Sequence, residues 1–150
     1  NVAILRTFSK YGLAGLRIGY GILPERLADY LWRVRLPFSL NILAEEAALA
    51  ALSDDAFRRE SLRFHQWGRK LISRELQGMG CSVIPSQSNF IMFSPPAEKM
   101  TARQLHARLL ERDDHPGARA YHLPDWLRVT VGREEENRFF LELCREFLRA

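Results

Sequence analysis

The chain has 150 residues, of which 47% are hydrophobic and 27% charged, with a formal net charge of +4. That length and balance exclude a disordered or fibrous polypeptide and suffice for a core built without disulfides or metal. The cations are interleaved with acidic and apolar residues, so they read as solvated surface and exclude nucleic acid as a partner; no apolar run approaches bilayer length, which excludes a membrane span.

Taken in chain order, residues 2–5 form a short apolar run before Arg6 and Thr7, the pattern of a buried strand that delivers a loop at its end. A second strand is predicted within residues 16–23, where Gly19 and Gly21 permit close backbone approach. Pro24 opens a helix over residues 25–35 with Leu27, Leu31 and Trp32 on one face; Pro37 ends it, and the alanine-rich residues 44–52 read as another helix. Ser53 or Asp54 then caps a long helix over residues 56–77 that stops at Gly78, Met79 and Gly80, a left-handed terminus. Beyond it come strands at 81–84 and 89–93, a helix opened by the Thr101 and Gln104 capping box, a loop at Pro116 and Gly117, a strand at 127–131 and a final helix led by Glu134, Glu135 and Glu136. These elements divide the chain near residue 60, with part of an α/β domain in residues 1–60 and a long connecting helix plus an α+β unit in residues 61–150.

Cys81 and Cys144 lack C-x-x-C spacing, and the opening NVAILRTFSK lacks the head of a signal peptide, so a reduced, cytoplasmic protein is expected. Asn1 leads straight into an apolar run, as if the sequence were taken from a longer chain. His65, His106, His115 and His122 show no metal-ligand spacing, and no metal site is expected. The tryptophans are expected to pack.

Chemistry concentrates in TFSKYGLAGLRIGY at residues 7–20, a loop between two strands that gathers hydroxyls, glycines, one lysine and one arginine. Thr7, Ser9, the glycine-flanked backbone and Arg17 supply the hydroxyl, N–H and guanidinium donors that a phosphate needs. The amine of Lys10 is a nucleophile of the kind that attacks an aldehyde to give a Schiff base. By composition alone a generic phosphate loop with a surface lysine remains open. Neither G-x-x-x-x-G-K-[ST] nor G-x-G-x-x-G is present to explain the loop otherwise.

This stretch resembles the lysine motif of the fold-type I aminotransferases, and within them the histidinol-phosphate aminotransferase branch. The likeness continues, in order, through PFSLN at 37–41, SNFIMF at 88–93 and LPDWLRVTVGREEEN at 123–137. The resemblance implies an α/β fold, specifically the C-terminal part of the fold-type I (PLP-dependent transferase-like) architecture, with an incomplete large domain and an α+β small domain. It implies pyridoxal 5'-phosphate as cofactor, with Lys10 as its covalent partner and proton-transfer group and Thr7, Ser9 and Arg17 around its phosphate. Arg128 would hold the substrate carboxylate and Arg119 a substrate phosphate. The implied reaction is amino transfer between a small-molecule donor, histidinol phosphate, and the 2-oxoacid 2-oxoglutarate, in a homodimeric parent enzyme. A decarboxylase of a phosphorylated amino acid and a non-catalytic fragment are the alternatives.

Two departures stand out. Lys10 and Arg17 are seven positions apart where the family spaces them by eight, so either the loop is one residue shorter or the cofactor-bearing residue is missing beside Lys10. Residues 113–121 are contracted around Arg119. The family's aspartate partner of the cofactor ring nitrogen precedes these blocks, so the 150 residues alone are expected to be inactive.

Overall fold

The computed structural model describes residues 2–112 and 122–149 and the backbone of residues 118 and 119. Two units divide at residues 58 and 59.

In the first, strands β1 (Ile4–Thr7) and β2 (Gly19–Ile22) pair antiparallel, with Ile4 opposite Ile22 and Thr7 opposite Gly19. Gly19 is required there, since a Cβ would lie 2.5 Å from the Arg6 carbonyl oxygen. Helix α1 (Glu25–Val34) follows Pro24, which fits a first turn because its missing N–H has no partner to lose. Helix α2 (Ile42–Ser53) begins at Asn41, whose Oδ1 accepts from the Ala44 N–H at 2.8 Å. Helix α3 (Asp55–Gly78) starts with Asp54 Oδ1 accepting from the Phe57 N–H at 2.9 Å.

The core of this unit is small: Phe8, Ile18, Ala44 and Ala48, flanked by Tyr11, Leu13, Leu16 and Ala51. One expectation is corrected here. The run read as a buried strand is exposed throughout β1, with Val2 74% and Leu5 78% accessible. A strand is buried only where a second layer covers its faces, and none of the described residues forms that layer over this two-stranded ribbon. Trp32 is likewise 64% exposed, with the Arg35 guanidinium 4.0 Å from its ring centroid, so it stacks on a cation instead of packing inside.

The second unit is a four-stranded antiparallel sheet in the order β3 (Ser82–Ile84), β4 (Phe90–Ser94), β6 (Leu127–Thr130), β5 (Ala118–Arg119). Alternation sets its faces. Ile91, Phe93, Leu127 and Val129 are buried in one cluster with Ile72 and Leu76 of α3, Leu105 and Leu109 of α4 (Ala102–Arg112), and Phe140, Leu141, Cys144 and Leu148 of α5 (Glu134–Arg149). Phe93 and Phe140 meet edge to face at 5.9 Å. The alternate positions Phe90, Met92, Arg128 and Thr130 point to the other face.

Local signals place the helices. Helix α3 ends where Gly80 takes φ +87, a left-handed stop that leaves the Cys81 N–H to bond the Leu76 carbonyl at 3.0 Å. Thr101 and Gln104 form the expected capping box: the Gln104 N–H donates to Thr101 Oγ1 at 3.2 Å, and the Thr101 N–H to Gln104 Oε1 at 3.0 Å. The loop expected at Pro116 and Gly117 lies outside the described residues.

Candidate active site

The loop of residues 7–20 is drawn together at its neck. Beyond the Thr7 and Gly19 pair, the Phe8 N–H donates to the Ile18 carbonyl at 3.1 Å. This bond holds the backbone between Thr7 and Ser9 against the residue that follows Arg17. Phe8 and Ile18 are buried and anchor the neck from below.

Within the loop, two short 3-10 turns, Ser9–Tyr11 and Ala14–Leu16, replace an extended crossing. The Thr7 hydroxyl donates to Ser9 Oγ at 2.9 Å and accepts from the Ser9 N–H at 3.0 Å, so the two hydroxyls act as one polar group. Lys10 follows in the first turn and is solvent-exposed. Arg17 holds a left-handed backbone, φ +54, unusual without glycine, and its Nη1 donates to the Ala14 carbonyl at 2.7 Å. One loop thus carries a bonded pair of hydroxyls, a primary amine in the next turn and a guanidinium turned to the Ala14 carbonyl, residue types that suit a phosphate and an aldehyde.

In the second unit Arg128 is half-buried on the outer sheet face, paired in register with Met92 and Ala118. Its Cζ lies 5.3 Å from the Phe90 ring centroid, a stacking that holds the planar head over the adjacent strand. Arg119 belongs to β5 by its backbone, and its side chain lies outside the described residues.

Other titratable groups are shifted for structural reasons. His65 is pushed below the usual histidine range by burial and then by Arg69. Burial raises the Cys81 thiol to about 11 and lifts Cys144 further. Among the described residues no three His, Cys, Asp or Glu side chains gather into a possible metal site.

One residue escaped sequence reasoning. Asn137 is only 2% exposed and bonds both backbone groups of Gly132, receiving its N–H at 2.9 Å and donating to its carbonyl at 2.7 Å. The signal was an amide in helical phase with Phe140, Leu141, Cys144 and Leu148, obscured by the three glutamates before it.

The family model for aminotransferase class I and II matches residues 1–143. The chain belongs to the class I and II aminotransferases. It is 59% identical over 151 residues to the histidinol-phosphate aminotransferase of Nitratidesulfovibrio vulgaris (strain Hildenborough), covering 99% of this chain and 39% of that protein. Among solved structures, the histidinol-phosphate aminotransferase from Sinorhizobium meliloti in complex with pyridoxal-5'-phosphate matches at a TM-score of 0.84 and 28% identity, over 99% of this chain and 41% of that one. The L-threonine-O-3-phosphate decarboxylase from Porphyromonas gingivalis matches at a TM-score of 0.77 and 25% identity, over 100% and 47%. This class I and II aminotransferase chain thus has part of the fold-type I architecture, and it spans about two fifths of the length of the curated relatives it matches.

Proposed function

We propose that the protein containing these residues is a pyridoxal 5'-phosphate-dependent aminotransferase that exchanges an amino group between histidinol phosphate and 2-oxoglutarate. The hydroxyls, amine and guanidinium carried on the 7–20 loop support this reading. They fit the cofactor chemically: Thr7, Ser9 and Arg17 suit a phosphate dianion, and the primary amine of Lys10 suits an aldehyde. The identity of 59% to a histidinol-phosphate aminotransferase over nearly the whole chain supports this substrate over that of the decarboxylase neighbour at 25%.

When bound, the cofactor supplies an aldehyde for the amine and a ring that withdraws electrons from the substrate carbon. The chain's residues do the rest. The two hydroxyls and Arg17 would hold the phosphate end, and the Lys10 amine, once displaced from the aldehyde carbon by the incoming amino group, would carry a proton from the substrate carbon to that aldehyde carbon. Arg128 receives a carboxylate of 2-oxoglutarate with a planar, two-pronged guanidinium already oriented by Phe90. Arg119 is assigned to the substrate phosphate by resemblance alone. We read the 1–60 and 61–150 segments as parts of the large and small domains of a cytoplasmic homodimer, to be checked by sedimentation of the full-length protein.

Borohydride reduction of the full-length protein with the cofactor, followed by peptide mapping, tests the central assignment. An adduct on Lys10, lost in K10A, is expected; an adduct elsewhere overturns it. Carbon dioxide released with no glutamate formed would transfer the protein to the decarboxylases. The 150 residues alone are expected to be inactive, and turnover by them would contradict the reading.

A further inference from the structure

Among the described residues one polar side chain is fully inside the fold, that of Asn137, 2% exposed. Its carboxamide is matched at both ends, Oδ1 accepting from the Gly132 N–H and Nδ2 donating to the Gly132 carbonyl. A helix-start contact needs one such bond. The paired arrangement claims both backbone groups of one residue, which needs a side chain with donor and acceptor on one short plane. Aspartate lacks the donor when ionised, and leucine lacks both.

The clamped residue lies just past the strand that carries Arg128. Val131, before Gly132, donates its N–H to the Asn89 carbonyl at 2.8 Å, and Asn89 leads into Phe90, which pairs with Thr130. That bond closes the β4 and β6 ladder at the end where Phe90 supports the Arg128 guanidinium. Helix α3 presses on the same spot, because Gly68 leaves no room for a Cβ beside Val131 Cγ1.

We propose that Asn137 is a positioning residue for substrate binding: by holding Gly132 it fixes the exit of β6 against Asn89, and thereby the placement of Arg128 over Phe90 for a substrate carboxylate. This rests on the reading of Arg128 as the carboxylate ligand. Without the clamp the ladder frays from Gly132 backwards, through the Val131 and Asn89 bond and then the Phe90 and Thr130 pair. Arg128 keeps its charge but loses its orientation.

The test uses the full-length, cofactor-loaded enzyme with succinate as an unreactive dicarboxylate, its dissociation constant measured by calorimetry. N137A should weaken succinate roughly tenfold and raise KM for 2-oxoglutarate in parallel, with kcat changed less than about threefold. Cofactor affinity should be unchanged. R128Q should also weaken succinate, and in that background N137A should add less than about twofold, since it acts through Arg128. N137D provides a second route that does not depend on N137A folding: succinate binding should be weak at alkaline pH and recover towards wild type on acidification, as the carboxyl regains a proton to donate to Gly132. Unchanged succinate affinity in N137A, the same loss with or without Arg128, or an N137D pH profile parallel to wild type overturns the proposal. If R128Q itself leaves succinate affinity intact, the Arg128 reading falls first, and the two failures are told apart.

Discussion

Gly68→Ala offers a sharp stability test, because two effects of known sign oppose each other at one atom. In a helix interior, alanine is favoured over glycine by about 1 kcal/mol. At Gly68, however, the added Cβ would lie 2.3 Å from Val131 Cγ1, more than about 1 Å inside ordinary carbon contact. Val131 is 4% exposed and β-branched, so its side chain has little freedom to turn away. Overpacking costs about 1–3 kcal/mol, and an overlap this deep falls at the upper end, about 2–3, which leaves G68A destabilised by roughly 1–2 kcal/mol after the propensity gain. Gly78 is the control, since nothing stands within 4 Å of its Cβ position. G78A should therefore raise stability by up to about 1 kcal/mol. Thermal melts of the full-length protein, followed by circular dichroism, would rank the variants, and the V131A background supplies the cycle. There G68A should cost at least about 1 kcal/mol less, because the opposing methyl is gone. A G68A protein that melts at or above wild type, or costs the same in both backgrounds, would refute the packing argument.

Three further outcomes follow from single contacts. Asn41→Ala removes the acceptor for the Ala44 N–H and should lower stability by about 1 kcal/mol, with N41S losing less, read as a shift in the urea midpoint. The Glu75 carboxyl is held below the usual carboxylate range by its hydrogen bond from Arg74, with Arg145 adding to it against the opposing effect of burial. Its contribution is present above the ordinary carboxylate pKa and lost as pH falls through the lowered value, so the melting difference between wild type and E75Q should shrink on acidification and persist at neutral pH. Cys81, raised to about 11 by burial, and Cys144, raised further, should resist iodoacetamide at pH 8 in the folded protein and react once it is unfolded, as peptide mapping would show.

Elements with signals in their own residues were legible from sequence. The Thr101 and Gln104 box, the Gly80 stop and the Asp54 cap are local chemistry, and each lies at the end of an element the pattern marks. Strand pairing and burial were less legible because they depend on what lies across from a segment. Residues 4–7 form a strand as read, yet it is exposed, since apolarity states a preference for burial and not the presence of a covering layer. In the candidate site, the residue types of the 7–20 loop raise the expectation of phosphate and aldehyde chemistry, but not that Arg17 takes a left-handed backbone or that Thr7 and Ser9 bond each other. Asn137 was missed because its role exists only in three dimensions, as a match between an amide and a glycine five residues earlier in the chain.

The two candidate sites share one construction principle. At the loop neck, Phe8 stands between Thr7 and Ser9, and Ile18 stands next to Arg17; the apolar pair is buried and bonded backbone to backbone, so the polar groups are held outward by neighbours that cannot turn over without exposing an aromatic ring. On the sheet, Leu127 and Val129 are buried on either side of Arg128, and the alternation of a strand then obliges the guanidinium to face the other way. In both places the polar side chain is positioned by apolar residues immediately beside it in sequence, which draw their orientation from the core. A polar group carried in this way keeps its direction only as long as its flanking anchors stay buried, so loss of apolar packing at Phe8 or Val129 would disperse the polar groups even with every one of them still present.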